Sequence, residues 1–198
     1  RGVDLPVYWG NRNATPLLAD TLAGMADAGH RRALAWSASP YSSYSSCRQY
    51  GEDLEAARET TGVTAPRVKW IRRHHDHPGL IKPAADRLTE ALDRLPTNRR
   101  QDAALAFSAH SIPTTMANGC RYEAEVAEVA RLVAERVDPA GNHRREVVWQ
   151  SRSGPSGVPW LEPDVVDQIR TLAAEGVDAV AVSPIGFPVE NFEIVWDL

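Results

Sequence analysis

Residues 103–110 read Ala-Ala-Leu-Ala-Phe-Ser-Ala-His. The run Ala103 to Ser108 is almost unbroken apolar sequence, without the in-and-out alternation of a half-solvated strand. Such a run is the mark of a strand buried on both faces, as in a parallel sheet covered by helices. Downstream, Tyr122 to Val137 has helical spacing, Glu146 to Gln150 reads as a strand, and Glu162-Pro163-Asp164 is a start signal for a helix over Pro163 to Glu175. An almost wholly apolar strand, Val177 to Ser183, follows. Upstream, Pro78 to Leu95 is a helix, Val68 to Ile71 a strand, Glu52 to Glu59 a helix and Arg32 to Ser37 a strand. Thr15 and Pro16 suit the N-cap and first position of a helix through Leu18, Leu22 and Met25, preceded by a β-like run, Leu5 to Trp9. Strands alternating with helices predict an α/β fold with a doubly wound parallel sheet. The polar segment Leu95 to Asp102 is the best linker, which sets expected domains at 1–98 and 99–198.

The bulk properties narrow the function. With 198 residues, 43% of them apolar and 24% charged, the chain has the composition of a globular protein with a real core. A formal charge of −4 offers no general attraction to phosphate backbones, so no nucleic-acid partner is expected. No stretch approaches the roughly 18 consecutive apolar residues of a membrane-spanning helix. The expected location is therefore the cytoplasm, with peripheral membrane contact at most. Cys47 and Cys120 fit neither a disulfide framework nor a four-cysteine metal site made by this chain alone. The start at Arg1 and the stop at Leu198 read as a fragment cut at both ends.

In open α/β sheets, ligands sit beyond the carboxyl ends of the strands. That rule singles out Ser39 to Cys47, His74 to His77, His110 to Pro113, Ser151 to Trp160, and Pro184 to Phe187 with Glu190 and Glu193. His110 closes an apolar strand and is either a general base or metal ligand, or a histidine that caps the next helix or satisfies a backbone carbonyl. Glu193 lies among Phe192, Ile194, Val195 and Trp196, where a carboxylate is costly unless paired or facing a cavity. Glu190, three residues earlier, would share its face in a helix, as an acidic path or a solvated helix start. His74, His75 and His77 are adjacent residues that seldom converge on one ion, and an exposed loop before Pro78 is favoured. The hydroxyl-rich Ser39 to Ser46 with Arg48 is an anion-binding loop or a flexible polar one. Arg152 with Trp160 would suit a flat apolar ligand with acidic edges, or Trp160 is packed. No Gly-x-Gly-x-x-Gly or Walker-type loop follows any strand, which weakens a nucleotide-binding reading.

Taken together, Tyr41-Ser-Ser-Tyr-Ser-Ser-Cys-Arg-Gln-Tyr50, Phe107-Ser-Ala-His-Ser-Ile-Pro113, Trp149-Gln-Ser-Arg-Ser-Gly-Pro155, Pro159-Trp-Leu-Glu-Pro-Asp164 and Pro184-Ile-Gly-Phe187 followed by Glu193 resemble the ferrochelatase family, most closely its actinobacterial branch. The resemblance runs in order along essentially the whole chain. It implies two Rossmann-like, chelatase-like halves with a porphyrin cleft between them, and insertion of Fe²⁺ into coproporphyrin III or protoporphyrin IX in haem biosynthesis. It implies His110 as the cleft histidine and Glu193 as the carboxylate facing it, the pair handling the metal and the pyrrole protons. Tyr41, Ser42, Ser43, Tyr44, Ser45 and Arg48 would lie near the porphyrin edge, and Trp160 near the cleft wall. Cys47 corresponds to one ligand of the [2Fe–2S] cluster of related actinobacterial enzymes, whose other three ligands would lie beyond Leu198. The alternative for Cys47 is a buried apolar residue.

The chain departs from the family between Phe187 and Phe192. Pro188-Val189-Glu190-Asn191 stands where Val-Ser-Asp-His is usual, so the acid is kept and the histidine is not. Asn191 leaves open a non-catalytic porphyrin- or haem-binding homologue, beside a chelatase for another metal and tetrapyrrole.

Overall fold

The computed structural model describes residues 4–155, 157–189 and 192–197, with the side chains of Ser45, Glu193 and Asp197 outside the description. Contacts group the chain into two compact units. The first runs up to Ala38 and includes Tyr44–Arg72; the second is Ser39–Ser43 and everything from Arg73 onward.

In the first unit, helix α1 (Leu18–Asp27), strand β1 (Arg32–Ala35), a π-helical turn (Ser45–Gln49), helix α2 (Tyr50–Thr61) and strand β2 (Arg67–Trp70) follow one another. β1 and β2 pair in parallel, with Ala35 opposite Trp70. Leu22, Leu54 and Ala57 form the small core, joined by Leu18, Met25 and Val68. Two local expectations differ from what is found. Leu5 to Trp9 is irregular and exposed, because a β-like sequence becomes a strand only where a partner strand supplies the ladder. α1 begins two residues later than Thr15 and Pro16 suggested, with Leu17 at the N-cap and no side-chain cap. The reason is local: Asn11 N–H donates to the Pro16 carbonyl and Leu18 N–H to the Asn11 carbonyl, which holds this segment as a turn.

The second unit contains α3 (Pro78–Asp93), a single turn α4 (Thr97–Arg100), β3 (Ala104–His110), a single turn α5 (Thr114–Ala117), α6 (Tyr122–Val137), β4 (Arg145–Gln150), α7 (Val165–Ala174), β5 (Val180–Ser183) and α8 (Phe192–Asp197). Its sheet is wholly parallel in the order β4-β3-β5. Leu105, Phe107 and Ala109 turn one face of β3 toward α3 and α6, where Ile81, Leu88, Val126, Val129 and Val133 complete the main core. Ala106 turns the other face toward Val148 and Val165, with Ile169 of α7 packed alongside. The α/β class with parallel sheets holds, and in this unit helices cover both faces. α3 shares the core of β3 and α6, so contacts group it with residues beyond the expected boundary at 98/99.

Helix ends follow capping chemistry. His77 accepts a hydrogen bond from Gly79 N–H with Pro78 at the first helical position, and Asp164 accepts one from Val166 N–H. At the end of α6, Asp138 accepts from His143 N–H (2.9 Å) and from Arg145 (3.4 Å), locking the turn into β4. Burial acts to raise the Asp138 carboxyl, but the His143 and Asn142 amides and Arg145 outweigh it and hold the group below its ordinary value. A carboxyl depressed on folding adds stability above its unfolded value, about 3.9, and that stability is lost as pH falls through the folded value. Asp138→Asn is therefore expected to lower the urea midpoint at pH 7, with the deficit shrinking as the pH is taken below about 4. An equal deficit at both ends of the series would contradict this account.

Candidate active site

The carboxyl ends of β3, β4 and β5 form one edge of the second unit. His110 is the last residue of β3 and lies opposite Gln150, the last residue of β4. Beyond β5, Gly186 N–H donates to the Ser108 carbonyl (3.0 Å), bringing the Pro184–Phe187 turn against β3. The approach is too close for a side chain: a Cβ on Gly186 would stand 2.5 Å from both Cα and Cβ of Ala109. Phe187 then packs against the His110 ring at 6.4 Å and 46°.

Two further loops are stitched together at this edge. Ser111 N–H donates to the Gln150 carbonyl, Leu161 N–H to the Ile112 carbonyl and Thr114 N–H to the Pro159 carbonyl. The Ser111 hydroxyl donates to the Leu161 carbonyl (2.9 Å). Pro113 and Trp160 consequently pair as an antiparallel bridge, which fixes Trp160 beside the His110–Pro113 segment. Its indole packs on Gly154, where a Cβ would lie 2.5 Å from Cζ2.

The His110 ring is oriented by its own backbone. Nδ1 lies 2.5 Å from the Ser111 carbonyl, an acceptor only, so Nδ1 carries the proton and donates it. That tautomer keeps the basic lone pair on Nε2. The His110 carbonyl in turn accepts from the Tyr122 hydroxyl (2.9 Å).

Tyr41 and Ser42 belong to the same unit and face inward. Tyr41, 1% exposed, donates its hydroxyl to the Ile185 carbonyl (2.7 Å) and meets Tyr122 edge-on at 5.8 Å. Burial, with Tyr122 and Glu125 alongside, pushes the Tyr41 phenol up; burial and then Cys120 do the same for Tyr122. Both phenols therefore remain protonated donors across the ordinary pH range. Ser42 donates to Glu125 twice, from N–H at 2.6 Å and from the hydroxyl at 2.7 Å. His75 stacks on Tyr41 at 6.4 Å and places Nδ1 3.8 Å from the same carboxylate. So the histidine run divides, with His77 capping α3 and His75 facing Glu125. Ser43 is half-buried beside them.

The other expected residues lie elsewhere. Tyr44, Ser45, Cys47 and Arg48 belong to the first unit, on the π-helical turn and the residue before it. Tyr44, Cys47 and Arg48 are exposed, and Arg48 pairs with Glu52 at 2.8 Å. Glu193 lies on α8. Glu190 and Asn191 fall outside the described residues.

Sequence reading did not single out Tyr122 and Glu125, and for His75 it favoured an exposed loop, whereas the ring stacks on Tyr41. For Glu125 the signal was present: it falls in phase with Tyr122, Val126, Val129 and Val133 on the buried stripe of α6, and a carboxylate on an apolar stripe implies a specific partner. Its place in the first turn adds the favourable field of the helix N-terminus.

A histidine at the carboxyl edge of the central strand, with Phe187 against its ring and Tyr122 on its carbonyl, stands where open α/β sheets carry their ligands. Comparison with known proteins makes the class specific. The ferrochelatase family model matches residues 1–198, and the chain belongs to the ferrochelatase family. It is 47% identical to the coproporphyrin III ferrochelatase of Nocardia farcinica, over all of this chain and 57% of that protein. It is 48% identical to that of Mycolicibacterium vanbaalenii, over all of this chain and 58% of the relative. With the Streptomyces griseus coproporphyrin III ferrochelatase it shares 45% identity, over all of this chain and 56% of that one. The chain thus spans a little under three-fifths of the length of these relatives.

Two substitutions probe this architecture. Glu125→Ala removes both acceptors of Ser42 and is expected to cost roughly 1.5–3 kcal/mol in urea unfolding of the full-length protein, as charge-assisted hydrogen bonds do. Protease cleavage within 39–46 should rise in parallel, and unchanged cleavage would show that Glu125 does not hold the loop. Gly186→Ala must push apart backbone, and overpacking of this kind costs about 1–3 kcal/mol. A melting temperature equal to that of the unsubstituted protein would remove the close-approach argument.

Proposed function

We propose that the full-length protein is a ferrochelatase inserting Fe²⁺ into a porphyrin in haem biosynthesis, with coproporphyrin III the preferred substrate and protoporphyrin IX the alternative. The observation that carries this reading is His110, held at a strand end with Nδ1 donating to the Ser111 carbonyl, the arrangement in which Nε2 is the basic nitrogen of a neutral ring. Two pyrrole protons must leave as the metal enters, which calls for a base that titrates near neutrality and is already oriented. Imidazole is such a base. The substrate class is supported by the names of the relatives, and iron enters as substrate.

In this reading His110 takes a pyrrole proton or receives the metal, and Glu193 is the carboxylate on the opposite side of the macrocycle. Phe187 and Trp160 supply apolar wall beside the imidazole. A wall of fixed side chains favours a bent macrocycle whose nitrogen lone pairs are exposed to the entering metal. Ser43, Tyr44, Ser45 and Arg48 are the proposed contacts for the acidic substituents of the porphyrin. Tyr41 and Ser42, whose hydroxyls are engaged with Ile185 and Glu125, hold the start of that loop.

A [2Fe–2S] cluster requires four ligands. These 198 residues contain two thiols, and that of Cys120 donates to the Met116 carbonyl (3.3 Å). The cluster does not fit this chain alone; Cys47, exposed and free, is the ligand it would contribute to one completed by the rest of the protein. Among the described residues no helix is long and apolar enough to cross a membrane. We place the full-length enzyme in the cytoplasm.

The test is anaerobic incubation of full-length protein with Fe²⁺ and either porphyrin, followed by absorbance. His110→Ala and Glu193→Gln should each lower metallation at least roughly 10²-fold, as expected for loss of a positioned acid–base group. Tight porphyrin binding without metallation in the unsubstituted protein would overturn the enzymatic reading and favour a porphyrin-binding homologue, consistent with Asn191. Faster insertion of another divalent metal would favour a different chelatase.

A further inference from the structure

The face of the sheet that carries His110 also carries a polar group for which the site described so far has no use. Along β3 the side chains alternate, so Ala106, Ser108 and His110 share one face, and Ala106 sits there against Val148 and Val165. Gln150 lies two residues beyond Val148 and directly opposite His110 in the parallel register, which puts it on the same face. Ser108 is 0% and Gln150 1% exposed. The Ser108 hydroxyl and both the Oε1 and Nε2 atoms of Gln150 have no hydrogen-bond partner among the described residues.

A buried carboxamide with neither end paired is rare in folded proteins, and each such group calls for a specific explanation. An apolar side chain of the same shape would suit this face better if packing were the only demand. A buried water needs two to four polar partners in a polar recess, and a hydroxyl with a carboxamide placed diagonally across neighbouring strands, about 7–8 Å apart between their Cα atoms, leaves room for one between them. The residue immediately after Gln150 is a second, independent sign. Ser151 adopts φ 61°, the left-handed region that non-glycine residues seldom occupy, and such backbone strain concentrates where a site must be held in one arrangement.

We propose that Gln150 and Ser108 hold an ordered water on the His110 face of the sheet, and that this water fixes the Gln150 side chain beside the imidazole, making Gln150 a positioning residue for His110. The inference rests on the metallation reading for its kinetic consequence only; the water site itself does not.

The experiment is a high-resolution crystal structure of the full-length protein, unsubstituted and as Gln150→Met, with kinetics of both. Expected are density for a water within hydrogen-bond distance of Ser108 Oγ and the Gln150 carboxamide, and its loss in Gln150→Met. The melting temperature of the variant should be nearly unchanged, since a hydrogen-bonded amide and its water are exchanged for an apolar side chain of similar shape, while kcat falls about 10-fold at unchanged KM, the lower end of the effect of losing a group that orients an active residue. Gln150→Glu, which keeps the polar end, should restore most of the rate. If Gln150→Met fails to fold, Ser108→Ala tests the same water with a smaller change. Absence of the water from the unsubstituted protein overturns the proposal, as does a folded Gln150→Met with unchanged kcat. If the unsubstituted protein binds porphyrin without metallating it, the enzymatic reading falls, and the density still decides the water site.

Discussion

Strand β3 is hydrogen-bonded along both edges, to β4 on one side and β5 on the other, and its residues up to Ala109 are buried. A strand in that position has no freedom to slip, because a shift of one residue would send Leu105, Phe107 and Ala109 to the α7 face and Ala106 and Ser108 into the larger core. Everything at the carboxyl edge is referred to this one register. His110 is where it is because the apolar run ends one residue earlier.

The edge is then tightened by contacts that cost little sequence. Gly186 lets the β5 turn lie against the β3 backbone, and Gly154 lets Trp160 lie flat against its own loop. Two tyrosines, Tyr41 and Tyr122, end their buried hydroxyls on the carbonyls of Ile185 and His110. The pairs belong to one aromatic group, since Tyr122 also packs on Trp149 at 5.7 Å. Glu125 adds a carboxylate whose two oxygens accept from the Ser42 N–H and hydroxyl, with His75 Nδ1 3.8 Å away. A buried carboxylate is tolerated when several donors meet it, and here those donors tie residues 39–43 to the helix that covers the sheet.

The chemistry proposed for the family site depends on the same edge. The backbone carbonyl of Ser111 accepts from His110 Nδ1, so the turn that starts after β3 helps to set the orientation of the ring. That turn is fixed by the Ile112–Leu161 and Thr114–Pro159 hydrogen bonds. A base presented by backbone geometry is pre-oriented at no further cost when substrate arrives, which is the condition for acid–base catalysis to be efficient.

Much of this was legible in the residues alone. The apolar run Ala103 to Ser108, the helical spacing of Tyr122 to Val137 and the Glu162-Pro163-Asp164 start signal are local properties, set by side-chain period and capping chemistry, and they determined the α/β class, the parallel sheet and the placement of His110 at a strand end. The failures were also local. Leu5 to Trp9 has strand-like residues but no paired strand, and Thr15-Pro16 looks like a helix start but is drawn into a turn by Asn11. Pairing partners are not encoded in the segment itself. What only the tertiary structure decided is which side chains meet: that Ser42 finds Glu125, that Tyr41 reaches Ile185 across 144 positions of sequence, and that Gln150 stands beside His110 with its amide buried and unpaired. Sequence spacing carries information about one element at a time, whereas these contacts depend on the register between strands and the packing of a helix over them.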